Sequence, residues 1–241
     1  MYPTLADPTQ SLLMDIYYPS DRQAGKLLPA VIMANDFMMN GAWMQGNEEL
    51  PNYYSAWCRI LAINGIVGVT YDTLHPDDID AVVKYIQENG PQLGIDGNRL
   101  GLFGSSSNGP PAGSFAEQEN REYVKFLVLY YSYFKMSGQY TQEYKDFCKE
   151  VGCHLSELQE IKKLRTDLPL YVVRDGVDNP DIDSMVELAT QAKVPLTLIK
   201  FVEGTHGFDF KDPNYTDEVV AKSIDIMNQT LDFMKAILFD Q

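Results

Sequence analysis

The sequence predicts an α/β fold in which a mostly parallel central sheet is covered by helices on both faces. The length of 241 residues suits one large domain, and a hydrophobic content of 45% allows a substantial core. Short apolar runs alternate with helical patterns along the chain, as expected where helices connect parallel strands. Most of these runs are near-continuous and rich in Val, Ile, Leu and Tyr, which indicates strands that are buried on both faces.

The strands and helices follow one another in a regular order. We predict strands at residues 12–18, 30–34, 66–71, 100–104, 126–131, 170–174 and 196–202. We predict helices at residues 53–64, 77–89, 183–192 and 217–239. The first two helices end at Asn-Gly pairs, which are typical C-terminal caps. In the last helix, apolar side chains recur at helical spacing and are expected to face the core; they are Ile224, Met227, Leu231, Met234 and Leu238.

Residues 1–241 are expected to form this one domain, with one unusual segment at residues 140–167. That segment is rich in charge and is predicted to form one or two amphipathic helices. Two interpretations stay open for it: a small helical cap over the functional site, or an ordinary long connection between two strands.

Charge and composition exclude several classes of function. The net charge is -15, from 34 acidic and 19 basic residues, so a nucleic acid would be repelled. No apolar run is long enough to span a membrane, and the N-terminus lacks the features of a secretory signal. The three cysteines, Cys58, Cys148 and Cys153, fit neither a disulfide framework nor a zinc site. We therefore expect a cytoplasmic protein, and no motif of the sequence implies a metal or an organic cofactor.

Residues 96–113, DGNRLGLFGSSSNGPPAG, carry the most informative pattern. A strand runs into a glycine, three serines, an asparagine and a second glycine, and a helix is expected to follow. This resembles the nucleophile elbow of the α/β-hydrolases, a sharp turn that exposes a serine hydroxyl beside a base. Pro110 and Pro111 are tolerated only near a helix start, so we expect the helix to begin irregularly or late.

Two registers of the elbow are open. If Gly104 is the first glycine, Ser106 is the nucleophile, and Asn108 occupies the second glycine position. If Gly109 is the second glycine, Ser107 is the nucleophile instead. We prefer Ser106 because Gly104 closes the apolar strand and because residues 99–104 match the family's run into the elbow. Asn108 is an acceptable substitute for the second glycine, since Asn tolerates a positive φ better than most residues.

The base and the acid are predicted on loops that follow later strands. His206 is the one histidine of the chain that combines a strand end with glycines on both sides. The segment YVVRDGVDNP at residues 171–180 follows the preceding strand, and Asp178 fits the family's pattern for the acid best. The order Ser, Asp, His along the chain is that of the α/β-hydrolases. Three aspartates compete for the role of the acid; they are Asp175, Asp181 and Asp183.

The resemblance also implies an oxyanion hole made of two backbone amides. One should be the N–H of Ser107, directly after the nucleophile, and the other should come from the loop after the strand at residues 30–34. That loop reads NDFMMNG, where many relatives have His-Gly-Gly, and Phe37 is our candidate for the second donor.

Taken together, the chain resembles the α/β-hydrolases close to dienelactone hydrolase and the small bacterial carboxylesterases. The elbow contains no cysteine, so the resemblance implies a serine esterase with a triad of Ser106, Asp178 and His206. The expected partner is a small-molecule ester, and a homodimer is compatible with the sequence. The alternatives are a thioesterase, a lactone or amide hydrolase with the same triad, or a non-catalytic binding protein of this fold.

Overall fold

A computed structural model of the chain describes residues 1–3, 9, 11–35, 53–73, 78–132, 134, 142, 145–146, 160–176, 180–209 and 214–239. Its strands are β1 (Tyr2–Pro3), β2 (Ser11–Leu12), β3 (Met14–Tyr17), β4 (Leu28–Met33), β5 (Val67–Tyr71), β6 (Ile95–Ser105), β7 (Val124–Tyr130), β8 (Leu170–Arg174) and β9 (Leu196–Lys200). β1 and β2 pair by themselves, and the other seven form a sheet of order β3-β5-β4-β6-β7-β8-β9. β3 runs antiparallel to β5, and every other pair of neighbours is parallel. The predicted α/β class and its seven strands are therefore confirmed.

The helices are α1 (Tyr53–Ile63), α2 (Asp78–Leu93), α3 (Gly109–Ala116), α4 (Pro180–Gln191) and α5 (Asp217–Phe239). α2 continues four residues beyond its predicted end, with Pro91 in its last turn. The Asn89-Gly90 pair does not stop it, and the fixed φ of Pro91 is compatible with the helical conformation of this last turn. α4 begins three residues earlier than predicted, at Pro180, since proline is well suited to the first helical position. Among the described helices, none combines the length and apolar character that a membrane span requires.

Alternate residues of the central strands point into two separate cores. Ile32, Leu102, Leu127 and Val172 belong to one core, which packs against α2, α3 and α4. Their immediate neighbours along the strands belong to the other, which packs against α1 and α5; they are Val31, Phe103, Val128 and Val173. Both faces of each strand are thus apolar, which explains the near-continuous apolar runs of the sequence.

The buried face of α5 differs from the predicted one at its start. Leu231, Met234 and Leu238 are buried as expected, but Ile224 is exposed and Ile226 is buried in its place. The spacing of apolar residues does not reveal this shift of the buried face, because two small polar residues, Ser223 and Thr230, also lie on it. Of the segment at residues 140–167, only 142, 145–146 and 160–167 lie within the described structure.

Candidate active site

Ser106 occupies a sharp turn between the central strand β6 and the helix that follows it. Its φ is 51°, in the left-handed region, whereas the preceding Ser105 is extended with φ -118°. A serine rarely adopts a positive φ, and such conformations cluster at functional sites. A 3-10 turn over Ser106–Asn108 precedes α3, whose first turn holds both prolines. The helix therefore begins irregularly, as the sequence predicts.

The residues around Ser106 explain why the turn can be so tight. A Cβ atom on Gly104 would lie 2.9 Å from the Asn108 carbonyl oxygen, so only glycine fits there without a shift. Asn108 itself has φ -81°, which any residue can adopt. Its amide donates a hydrogen bond to the Tyr54 hydroxyl instead. The tolerance of Asn for a positive φ is therefore not used at this position, because the left-handed residue of this turn is Ser106.

A continuous set of polar contacts runs from Ser106 through His206 to Asp175. The Ser106 Oγ lies 2.8 Å from His206 Nε2, and His206 Nδ1 lies 3.1 Å from Asp175 Oδ2. Because a carboxylate only accepts hydrogen bonds, Nδ1 carries the proton and Nε2 is left to accept from the serine hydroxyl. The Asp175 side chain is only 4% exposed, whereas the imidazole is 46% exposed. This arrangement can remove a proton from Ser106 and turn the hydroxyl into a nucleophile.

Close packing of two loops brings Asp175 to His206. Asp175 directly follows β8, and His206 follows β9, the neighbouring parallel strand. A Cβ atom on Gly176 would lie 2.4 Å from the Val202 carbonyl oxygen, and the Gly176 N–H donates to Gly204 at 3.2 Å. The missing side chain of Gly176 therefore lets the two loops touch, which sets the distance between the carboxylate and the imidazole.

Comparisons with known proteins agree with this architecture. No protein-family model and no curated protein matches the chain. A butyrate-bound thermophilic esterase from the Planctomycetes species Thermogutta terrifontis matches with a TM-score of 0.66 at 16% identity, over 96% of this chain and 92% of that chain. An α/β hydrolase from a Medee basin deep-sea metagenome library matches with a TM-score of 0.63 at 13% identity, over 93% of this chain and 98% of that chain. A fungal esterase from Rhizomucor miehei matches with a TM-score of 0.61 at 16% identity, over 93% of this chain and 81% of that chain.

This chain has the α/β-hydrolase fold. β6 is the middle strand of the seven-stranded sheet, and Ser106, Asp175 and His206 follow β6, β8 and β9 in chain order. The narrower resemblance to dienelactone hydrolase stays a prediction.

Of the other site residues that the sequence predicts, the structure describes Ser107 only. Asp178 and Phe37 lie outside the described residues. Ser107 lies in the first turn after the elbow, where its amide has no intrahelical acceptor. Asn35, the last described residue after β4, donates from its side chain to the Tyr71 carbonyl at 2.9 Å. The carboxylate that the structure places on His206 is Asp175, which the sequence offered as a competitor of Asp178.

One polar group beside this site was not identified from the sequence. Asp209, three residues after His206, accepts hydrogen bonds from Tyr53, Trp57 and Tyr131. The sequence contains an aspartate in the HGFD segment at residues 206–209, and two aromatic residues, Tyr53 and Trp57, that lie four residues apart on one predicted helix. Neither feature reveals the contact, because Tyr53 and Asp209 are 156 residues apart in sequence.

The described side chains near the candidate site offer no group of metal ligands. Within the described ranges, no three His, Cys, Asp or Glu side chains are grouped closely enough to hold an ion. The two carboxylates near His206 are already engaged with the imidazole and with three aromatic donors.

Proposed function

We propose that this chain is a serine hydrolase that cleaves an ester through an acyl-enzyme intermediate. Ser106 is the nucleophile, His206 the general base and Asp175 the acid that orients the base. The observation that carries the proposal is the contact of 2.8 Å between the Ser106 hydroxyl and an imidazole whose other nitrogen faces a buried carboxylate.

Similar structures lend support to this chemistry. The Thermogutta terrifontis esterase was obtained in forms phosphoramylated by tabun and phosphonylated by sarin. Organophosphates react with activated nucleophiles, so we infer that an elbow of the same fold with a serine against a histidine has a comparable reactivity here.

The reaction proceeds in two halves. The Ser106 oxygen attacks the ester carbonyl carbon, and its proton passes to His206 Nε2. When the tetrahedral intermediate collapses, the bond between carbon and the alcohol oxygen breaks, and Nε2 protonates the leaving alcohol. A water molecule then attacks the acyl-enzyme and gives one proton to Nε2, which returns it to Ser106 as the acid is released. Asp175 stabilises the imidazolium that forms in each half.

The oxyanion of each intermediate needs two backbone donors. The Ser107 amide follows the nucleophile directly and has no partner within its helical turn, so it is suited to the role. For the second donor the proposal keeps Phe37. If the ionised Asp36 carboxylate entered this hole it would repel the oxyanion, so that carboxylate must point away in a working enzyme.

Covalent labelling tests the nucleophile. The wild type, Ser106→Ala and Ser107→Ala are treated with a fluorophosphonate probe, and the modified peptide is mapped. Hydrolysis of p-nitrophenyl butyrate is measured in parallel. Labelling at Ser106, lost together with turnover in Ser106→Ala and retained in Ser107→Ala, supports the proposal. A folded wild type that neither labels nor turns over would make the non-catalytic binding protein the better interpretation.

A pair of substitutions tests the acid. Asp175→Asn should lower kcat by about 10⁴, because the amide favours the wrong imidazole tautomer. Asp178→Asn is the matched comparison, three residues further along the same loop. If Asp178→Asn has the large effect and Asp175→Asn does not, the acid is Asp178. Rates on matched ester, thioester, lactone and amide substrates then decide which bond is preferred.

A further inference from the structure

A second carboxylate, that of Asp209, lies three residues after His206 and is bonded to a tyrosine that contacts the imidazole. Asp209 Oδ1 accepts from the Tyr131 hydroxyl at 2.7 Å, and Oδ2 accepts from the Tyr53 hydroxyl and Trp57 Nε1, both at 2.8 Å. Burial raises the pKa of Tyr131, and the neighbouring Tyr53 hydroxyl and Asp209 carboxylate raise it further. The Tyr131 hydroxyl therefore keeps its proton and acts as a donor.

The three donors tie the histidine loop to elements that surround the nucleophile. Tyr53 and Trp57 lie on α1, and Tyr131 directly follows β7. The Tyr53 hydroxyl is also hydrogen bonded to the side chain of Ser105, the residue before the nucleophile. Asp209 thus connects the loop that carries the base with the segment that carries the nucleophile.

Tyr131 contacts the imidazole itself. Its ring lies edge-on to His206, with the ring centroids 4.8 Å apart and an interplanar angle of 63°. The backbone of Tyr131 has φ 38°, an uncommon conformation for an aromatic residue. The position of the phenol is therefore set by its surroundings, and the Asp209 carboxylate holds its hydroxyl end.

Stability alone does not account for a carboxylate in this place. All three of its donors are neutral, and among the ion pairs of the described residues none involves Asp209. Burying a carboxylate without a cationic partner costs free energy, which the hydrogen bonds from its donors offset. Three donors converging on one carboxylate instead fix the geometry of the groups that donate.

We propose that Asp209 is a positioning residue that holds the Tyr131 ring against His206 and so keeps the imidazole aligned with Ser106. The proposal rests on the proposed hydrolase function. The ring edge limits rotation of the imidazole, and the contacts of 2.8 Å to Ser106 and 3.1 Å to Asp175 depend on that orientation. Loss of the alignment slows the proton transfers without removing any group that touches the substrate.

The test compares Asp209→Asn and Tyr131→Phe with Tyr130→Phe as the control. The asparagine offers one oxygen where three donors converge, so at least one hydrogen bond is lost. Tyr131→Phe keeps the ring on His206 but frees it from Asp209. Tyr130→Phe also removes one buried tyrosine hydroxyl, which bonds to Thr230 at 2.5 Å and not to Asp209. Each variant is assayed for kcat and KM on p-nitrophenyl butyrate, normalised to the concentration of fluorophosphonate-reactive sites, and for melting temperature.

We expect Asp209→Asn to lower kcat by about 10²-fold, the size of effect that a small misplacement of reacting groups produces, with KM near the wild-type value. Tyr131→Phe should lower kcat in the same direction by less, and the double variant should lose no more than Asp209→Asn alone. Tyr130→Phe should lower the melting temperature and leave kcat unchanged.

Two results would overturn the inference in distinguishable ways. If both Asp209→Asn and Tyr131→Phe lower the melting temperature but keep wild-type kcat, Asp209 is only structural while the hydrolase proposal stands. If the folded wild type has no activity, the proposed function fails and the positioning role fails with it. Should Asp209→Asn not fold, the kcat of Tyr131→Phe relative to Tyr130→Phe decides the question.

Discussion

We expect Glu117, directly after α3, to make the stability of this protein dependent on pH. The residue is 4% exposed; its Oε2 accepts from the Arg165 amide at 2.6 Å, and its Oε1 has no hydrogen-bond partner among the described residues. Burial raises the pKa of Glu117 from 4.5 to about 7, against the opposing effects of the Arg165 amide and guanidinium. Between pH 4.5 and about 7, the folded protein therefore holds a proton on this carboxyl that the unfolded chain releases.

The direction and size of the effect follow from that difference. The stabilisation is fully present below pH 4.5 and is lost as the pH rises through 7, because the folded state must then bury the charge. A rise in pKa from 4.5 to about 7 corresponds to about 3 kcal/mol of unfolding free energy, most of it lost between pH 5 and 8. Glu117→Gln resembles the protonated acid at every pH, so its unfolding free energy should lack this fall.

Urea denaturation of the wild type and of Glu117→Gln at several pH values between 5 and 8 measures the difference. We expect the variant to gain about 2 to 3 kcal/mol relative to the wild type across that range. Glu119→Gln, at an exposed position two residues away, is the matched control and should show no such change. Parallel curves for the wild type and Glu117→Gln would refute the reasoning.

Two further predictions concern the loops of the site. Gly176→Ala should lower kcat by about 10 to 10²-fold, because its Cβ would lie 2.4 Å from a backbone oxygen and push Asp175 away from His206. In the control Gly25→Ala no atom lies within 4 Å of the new Cβ; the φ of 81° strains this variant and lowers its stability, but its kcat should stay at the wild-type value. Asn108→Gly restores the glycine of the family pattern, yet it should lower the unfolding free energy by about 1 to 3 kcal/mol in urea denaturation, because the bond to Tyr54 is lost. An unchanged kcat in Gly176→Ala, or an unchanged stability in Asn108→Gly, would contradict the roles given to these contacts.

Most of the fold could be predicted from the sequence because each central strand is buried on both faces. Neighbouring residues such as Leu102 and Phe103 enter opposite cores, so the apolar runs are continuous and easily found. The C-terminal end of α2 and the N-terminal end of α4 could not be predicted as well. Their limits depend on how proline fits a helix at a given position, which differs between Pro91 within α2 and Pro180 at the start of α4.

The candidate site was predictable where its geometry is local. Gly104, the last residue of the predicted strand, favours Ser106 over Ser107, and the structure gives Ser106 the left-handed φ. The choice between Asp175 and Asp178 is not local, because the approach of Gly176 to Val202 places the acid loop. The hydrogen bonds of Asp209 could not be predicted from sequence patterns either, since their donors lie on α1 and after β7, far away in the sequence.

The separation of 100 residues between Ser106 and His206 has a consequence for synthesis of the protein. At roughly 5 to 20 residues per second, the ribosome makes the serine about 5 to 20 s before the histidine. Only when β9 joins β8 at the edge of the sheet can the imidazole reach the hydroxyl. A nascent chain thus carries Ser106 without its histidine, and the proposed catalytic group is complete only after β9, the last described strand, has docked.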